Sequence, residues 1–242
     1  MHAMKTRIAF VCSLVVFSAA AGIADPVEDQ FNFATGLMIK NEHELAAEEF
    51  RALLKDHPDF TSADVAWFRL GEVLHKLRKM NEAEEAFLKV TAQYPKSDKL
   101  PQAYYRLGEI VSDRNHRDAA RYFAAVAEKW PDNALAEAAL YWSAEELFKA
   151  EDWKAASAAY AASLAKFPQG KYSANSLYSL GWSDSQRGQF DAAAKSFRGF
   201  LEKFPAHELA PECRLKMAEA LTKAGKHDDA FAAYTQAGSA GG

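Results

Sequence analysis

The sequence predicts an all-α protein: a right-handed α-solenoid of six helical hairpins with a period of about 37 residues. Three observations carry that prediction. A small residue followed four positions later by an aromatic one recurs as Ala46/Phe50, Ala83/Phe87, Ala119/Phe123, Ala156/Tyr160, Ala193/Phe197 and Ala230/Tyr234. Eight residues after each of the first five rings comes a proline (Pro58, Pro95, Pro131, Pro168, Pro205), preceded by a ring (His57, Tyr94, Trp130, Phe167, Phe204). Eleven or twelve residues before each alanine stands another small residue: Ala34, Gly71, Gly108, Ala144, Gly181, Ala218. Successive pairs lie 37, 36, 37, 37 and 37 residues apart, and constant phase over six copies marks a repeat architecture.

Composition fits a folded chain. Of 242 residues, 49% are hydrophobic and 26% charged, and 12 Gly with 8 Pro are too few for a disordered or collagen-like polymer. A formal charge of −4 provides no footprint for nucleic acid. Two cysteines, Cys12 and Cys213, cannot build a disulfide scaffold or a cysteine-based zinc site.

Taken in order, residues 1–24 are expected to be a signal peptide outside the fold. Lys5 and Arg7 precede an apolar or small run from Ile8 to Ala21, shorter than a membrane span of about 20 residues. Gly22 and Ala24 supply the small residues of a cleavage site, so the mature chain is expected to begin near Asp25, in the periplasm or secreted, without a transmembrane segment. Cys12 lies in the middle of the apolar run and not at the end of a lipobox. Without Lys5 and Arg7 the chain carries about −6, and Cys213 alone cannot form an intrachain disulfide.

Residues 25–242 read as one solenoid, with units of about 27–60, 61–97, 98–133, 134–170, 171–207 and 208–242. Each unit has two stretches with apolar residues at i, i+3, i+4 and i+7, hence two amphipathic helices, A and B. In the second unit, helix A is expected from about Ser62 to Leu77 and helix B from about Glu82 to Tyr94. Ser62 and Ser97 stand where N-caps are wanted, and Gly188 and Gly225 where a left-handed A–B turn is needed. The small residues let A and B cross closely, and proline stops helix B. One hairpin cannot bury both its faces, so the units must stack on their neighbours. Two residues break the pattern: Asp184, where the other units have Leu or Val, and Ser143, where Leu is usual. No clear polar cap follows the sixth unit. Its alanines (Ala230, Ala232, Ala233) limit exposed apolar area, or the chain is a fragment, or a partner covers that end.

These residues resemble the tetratricopeptide repeat (TPR). The clearest copy is Trp67-x-x-Leu70-Gly71-x-x-Leu74 with Ala83, Phe87 and Pro95; Tyr104-x-x-Leu107-Gly108 with Ala119, Phe123 and Pro131 nearly repeats it. The resemblance implies a curved scaffold with a groove lined by the A helices. With the 37-residue period and the ring–proline ending, the array is similar to the repeats of the Tol–Pal-associated cell-division coordinator of Gram-negative bacteria. More distantly it resembles the outer-membrane assembly lipoprotein. The first family implies a non-enzymatic role bridging peptidoglycan synthesis and outer-membrane constriction; the second implies a subunit of the β-barrel insertion machine. The chain lacks the coiled-coil segment of the first and the lipidated cysteine of the second.

No enzyme chemistry is expected. The seven histidines form no HExxH or i, i+4 pair, and there is no GxxxxGK[ST], GxGxxG or GxSxG. His57, at a ring position before proline, is expected to pack. Cys213 is expected to be a buried structural thiol. No cofactor or metal is called for.

The groove offers two expected ladders. Three residues before each small landmark stand Phe31, Phe68, Tyr105, Tyr141, Tyr178 and Leu215. One residue after it stand Thr35, Glu72, Glu109, Glu145, Trp182 and Glu219. Residues four apart share a helical face, here expected to point away from helix B. The rings would anchor apolar groups and the carboxylates select Lys, Arg or an amine of a protein or peptide partner; alternatively both ladders only pack or face solvent. The expected role is a non-enzymatic periplasmic scaffold in cell-envelope assembly or division. The alternatives are a subunit of outer-membrane protein assembly and the non-catalytic arm of a larger envelope protein.

Overall fold

The computed structural model describes residues 25–239, so the signal peptide expected at 1–24 lies outside the described residues. Twelve helices pair into six hairpins: α1 (Pro26–Ile39) with α2 (His43–Asp56), α3 (Ala63–Lys76) with α4 (Met80–Gln93), and α5 (Leu100–Ser112) with α6 (His116–Lys129). There follow α7 (Ala136–Lys149) with α8 (Trp153–Lys166), α9 (Ser173–Gln186) with α10 (Phe190–Lys203), and α11 (Ala210–Lys223) with α12 (His227–Ser239). Odd-numbered helices are the A helices. Among the described residues there is no strand, and no helix is long and apolar enough to cross a membrane. Each helix packs chiefly on the helices before and after it in the chain, which is solenoid order.

The recurrent small–aromatic pattern acquires its reason in the A–B contact. Phe87 of α4 lies over Gly71 of α3 so closely that a Cβ there would fall 2.7 Å from the ring. Gly108 under Phe123 and Gly181 under Phe197 repeat the contact at 2.8 and 2.7 Å. Phe50, Phe87, Tyr160 and Phe197 are completely buried by it. A ring of this size removed from water contributes roughly 2–3 kcal/mol. Ala46, Ala83, Ala119, Ala156 and Ala193, also buried, let the B helix approach.

A–B turns follow one design with one exception. In five hairpins a residue with positive φ ends helix A: Asn41, Arg78, Glu151, Gly188 and Gly225, at φ between 56° and 75°. The amide of the next residue reaches back five positions, as in Lys79 N–H to Leu74 O (2.9 Å) and Gln189 N–H to Asp184 O (2.8 Å). The third unit is the one with the 36-residue spacing, and its missing residue falls in this turn. There the Asn115 amide bonds Val111 O at 2.8 Å, four positions back, and its side chain caps α6 by accepting from the Asp118 amide.

Several local expectations need correction. Ser62 is the residue before α3 but its hydroxyl makes no capping bond. Ser97 sits two residues before the N-cap Lys99, whose amide it accepts at 3.0 Å; it forms a local turn and is not a cap. Asn133 and His207 do the same in their own units. Gly170 has no side chain for this, and Glu137 of α7 accepts the Tyr172 amide at 3.0 Å instead. Helix α4 starts at Met80, two residues earlier than expected. His57 is exposed and does not pack; Phe60, three residues on, lies against Phe31. Cys213 is fully buried, and burial pushes its thiol pKa up to about 12.

An exposed residue with a β-carbon is strained in the left-handed region that glycine occupies freely. Arg78→Gly and Glu151→Gly should therefore each stabilise the chain by about 0.5–1 kcal/mol, and Gly188→Ala should destabilise it by about 1 kcal/mol. Thermal melts of the three variants check the two signs.

Candidate partner-binding groove

Five A helices carry the expected ring, but the structure places these rings differently from the expectation. They do not point away from helix B: each lies against the B-helix ring of its own unit. Centroid separations are 6.2 Å for Phe31–Phe50, 5.5 Å for Phe68–Phe87, 5.0 Å for Tyr105–Phe123, 6.3 Å for Tyr141–Tyr160 and 5.9 Å for Tyr178–Phe197. A residue ahead of the next A helix then covers several of them. Phe60 covers Phe31, Lys99 lies over Phe68, and Tyr172 stacks on Tyr141 at 4.6 Å. Phe31, Phe68 and Tyr141 are buried as a result; Tyr105 and Tyr178 stay half-buried. Burial, with Glu109 nearby, raises the Tyr105 hydroxyl pKa to about 12. Tyr178 is also raised to about 12, by burial and by donating to Glu212 at 2.7 Å. Leu215, the sixth member, is exposed.

The carboxylate ladder is engaged within the chain. Arg106 of α5 bonds Glu109 at 2.7 Å and reaches Glu72 on α3 at 3.9 Å. Glu219 pairs with Lys216 at 3.0 Å. Glu145 accepts from Tyr160 of α8 and from Ser179 of α9, tying three helices together. Thr35 accepts from Arg69. Arg106 and Lys216 thus match the charge of Glu72, Glu109 and Glu219, whereas Glu145 is held by neutral hydroxyls. Pairing leaves Glu109 and Glu219 exposed, since such surface contacts hold loosely.

Two hollows open on the A-helix face. A cleft of about 350 Å³ lies between α5 and α7, walled by Tyr105, Phe123 and Trp142 and edged by Glu109, Asp113 and Lys149. A smaller one of about 220 Å³ lies between α9 and α11, against Trp182, Phe197 and Lys216, whose ammonium stands 4.8 Å from the Trp182 ring centre. Trp182 is half-buried and Trp142 likewise.

Below the first cleft lies a residue the sequence reading passed over. Glu146 is buried, its carboxylate 2.7 Å from Lys149 Nζ and 2.8 Å from His116 Nδ1 of α6. Burial pushes its pKa up, but hydrogen bonds from Lys149, His116 and Ser112 outweigh that and hold it below the ordinary carboxylate range. Register would have revealed it, because the same position holds Val73 and Ile110 in the two preceding units. Among the described residues no group of histidine, cysteine and carboxylate is arranged to hold a metal.

Two stretches, 31–98 and 178–242, match the tetratricopeptide repeat family and together cover more than half of the chain; the protein belongs to that family. No curated protein matches it. Solved structures with the same fold include MamA (20% identity, TM-score 0.59, covering 73% of this chain and 91% of that one). Another is YrrB, a TPR protein with an unusual peptide-binding site (20%, 0.59, 76% and 90%). A tetratricopeptide repeat protein from Parabacteroides merdae is a third (14%, 0.60, 87% and 78%).

A carboxyl whose pKa is depressed by folding contributes stability above its unfolded value, and loses it as pH falls through the folded one. Glu146→Gln should therefore lower the melting temperature by about 2–6 °C at pH 7, corresponding to roughly 1–2 kcal/mol. The gap should begin to shrink as pH falls below about 4.5, where the unfolded carboxyl protonates first, and close as pH falls through the lower folded value. Paired melts from pH 7 to pH 3 measure this.

Proposed function

We propose that the protein is a non-enzymatic scaffold that binds an extended protein or peptide segment along its A-helix face. The observation that carries this is the cleft between α5 and α7. Its walls are aromatic and rigid, which suits an apolar anchor, while Glu109 and Asp113 at its edge suit a neighbouring Lys or Arg. Half-buried Trp182 in the second hollow provides a further anchor on the same face. The fold shared with YrrB, a TPR protein with a peptide-binding site, supports the reading. Of the residues expected to bind, Trp182 and Tyr105 are the strongest candidates. Tyr178, Glu72, Glu109, Glu145 and Glu219 shape the edges, and Phe31, Phe68 and Tyr141 act from beneath by holding the face rigid.

The signal peptide expected at 1–24 and the likeness to the Tol–Pal-associated coordinator suggest a periplasmic scaffold in envelope assembly or division. Membership of an outer-membrane assembly complex, or of a larger envelope protein, is the alternative. N-terminal sequencing of protein recovered from fractionated cells should find Asp25 first; an intact Met1 or cytosolic recovery would refute export.

Binding is checked on a peptide array probed with the chain from Asp25 onward. Captured peptides should share an aromatic or long aliphatic residue beside Lys or Arg. Trp182→Ala and Trp142→Ala should each weaken capture about tenfold or more, at a stability cost of about 1–2 kcal/mol for a half-buried ring. Unchanged capture by both variants would remove the groove from the proposal.

A further inference from the structure

The solenoid is not uniform along its length. All eight buried polar or charged side chains among the described residues fall between Ser143 and Asp184. The other units serve as an internal control for what those positions require. Ser163 is buried where Leu53, Val90, Val126 and Phe200 stand in register, each with no exposure. Asp184 occupies the position of Leu74, Val111 and Leu221. Ser183 takes that of Val73 and Ile110. Ser176, where others have Ala66, Ala103 and Ala139, is fully buried with a hydroxyl that has no hydrogen-bond partner.

The two helices at this place are also rich in alanine and serine, which bury little apolar area. Helix α8 (WKAASAAYAASLAK) is mostly alanine and serine, so it forms readily but has little to hold it down. Helix α9 (SANSLYSLGWSDSQ) carries five serines, which compete for the backbone and lower helix stability. The apolar core is broken up across the middle units. One cluster runs from Phe31 to Ile110 and another from Ala174 to Ala233, with small clusters between. The two stretches that match the family leave 99–177, which holds hairpins three and four, between them unmatched.

Leu180 and Tyr172 pack on the small cluster of Tyr141, Ala144, Ala156 and Tyr160, and beside that limited apolar contact a set of polar bonds ties α8 to α9. Ser157 of α8 donates to Asp184 of α9 at 2.7 Å, and Arg187 bonds both at 3.1 Å. Ser179 of α9 donates to Glu145 of α7 at 3.2 Å. Water can replace such bonds when the surfaces part, whereas parted apolar surfaces find no substitute. In a linear array each unit is held only by its neighbours, so the weakest seam sets where the chain opens.

We infer that the α8–α9 seam is a built-in joint at which the array opens and bends while the apolar blocks on either side stay closed. The polar contacts reseat it in one register when it shuts. The two hollows of the A-helix face lie on opposite sides of this seam, so its bend sets the distance between them. That consequence rests on the groove reading; the joint itself does not.

Hydrogen exchange on the chain from Asp25 onward, without any ligand, tests the joint separately from binding. Interior amides of α8 and α9 should exchange at least tenfold faster than those of α3–α6 and α10–α11. The double variant Asp184→Leu/Ser157→Ala, which restores the apolar and small residues of the other units, should slow the seam about tenfold and leave α5 and α6 unchanged. Ser176→Ala, which removes the unbonded hydroxyl without adding bulk, should slow it in the same direction and serves if the double variant fails to fold. Seam amides that exchange in step with both flanking blocks in the parent chain would overturn the inference. So would variants that leave the seam rate unmoved.

Discussion

The array depends on one recurrent contact, seen in hairpins two, three and five: an aromatic ring from helix B laid on a helix A residue without a side chain. Phe87 on Gly71 and Phe197 on Gly181 are the tightest forms, and Ala34, Ala144 and Ala218 stand at the same position in the other units. The contact fixes how closely A and B cross, and that spacing presents a surface on which the next hairpin can settle. A larger residue at the landmark would separate the pair and misplace every later unit, since the array has no other frame.

The fold was legible because a repeat supplies its own alignment. Six small–aromatic pairs in constant phase define the hairpins, and the single 36-residue spacing marks the one turn built without a left-handed residue. The groove was legible only in outline. Helical spacing correctly grouped Phe31, Phe68, Tyr105, Tyr141 and Tyr178 on one stripe, but it could not show that the stripe leans on helix B and is roofed by the next unit. That roofing by Phe60, Lys99 and Tyr172 arises from packing between units, which no single-helix pattern contains. Arg106 with Glu109 and Lys216 with Glu219 were readable as i, i+3 partners, and that pairing changes what the acidic ladder offers. Asp184 and Ser143 stood out by register; Glu146 would have done so by the same comparison.

Charge and apolarity are distributed differently along the A-helix face. In the first half, arginines stitch one A helix to the one before it, Arg69 to Thr35 and Arg106 to Glu72, while Glu109 pairs with Arg106 within α5. In the middle, Glu145 performs the stitching through neutral hydroxyls of Tyr160 and Ser179. A partner that meets the first half encounters matched charge beside aromatic walls, so its selectivity depends on shape as much as on sign.

Glu137 and Gly170 carry a consequence for the idea of repeats as exchangeable bricks. The carboxylate of one hairpin completes the backbone bonding of the next, and it fits only because residue 170 lacks a side chain: a Cβ there would lie 2.2 Å from the Glu137 oxygen. Hairpins four and five are thus keyed to each other. Transplanting either alone into another array would leave an amide without its acceptor or a carboxylate against a wall, so modular engineering of this solenoid must move the two together.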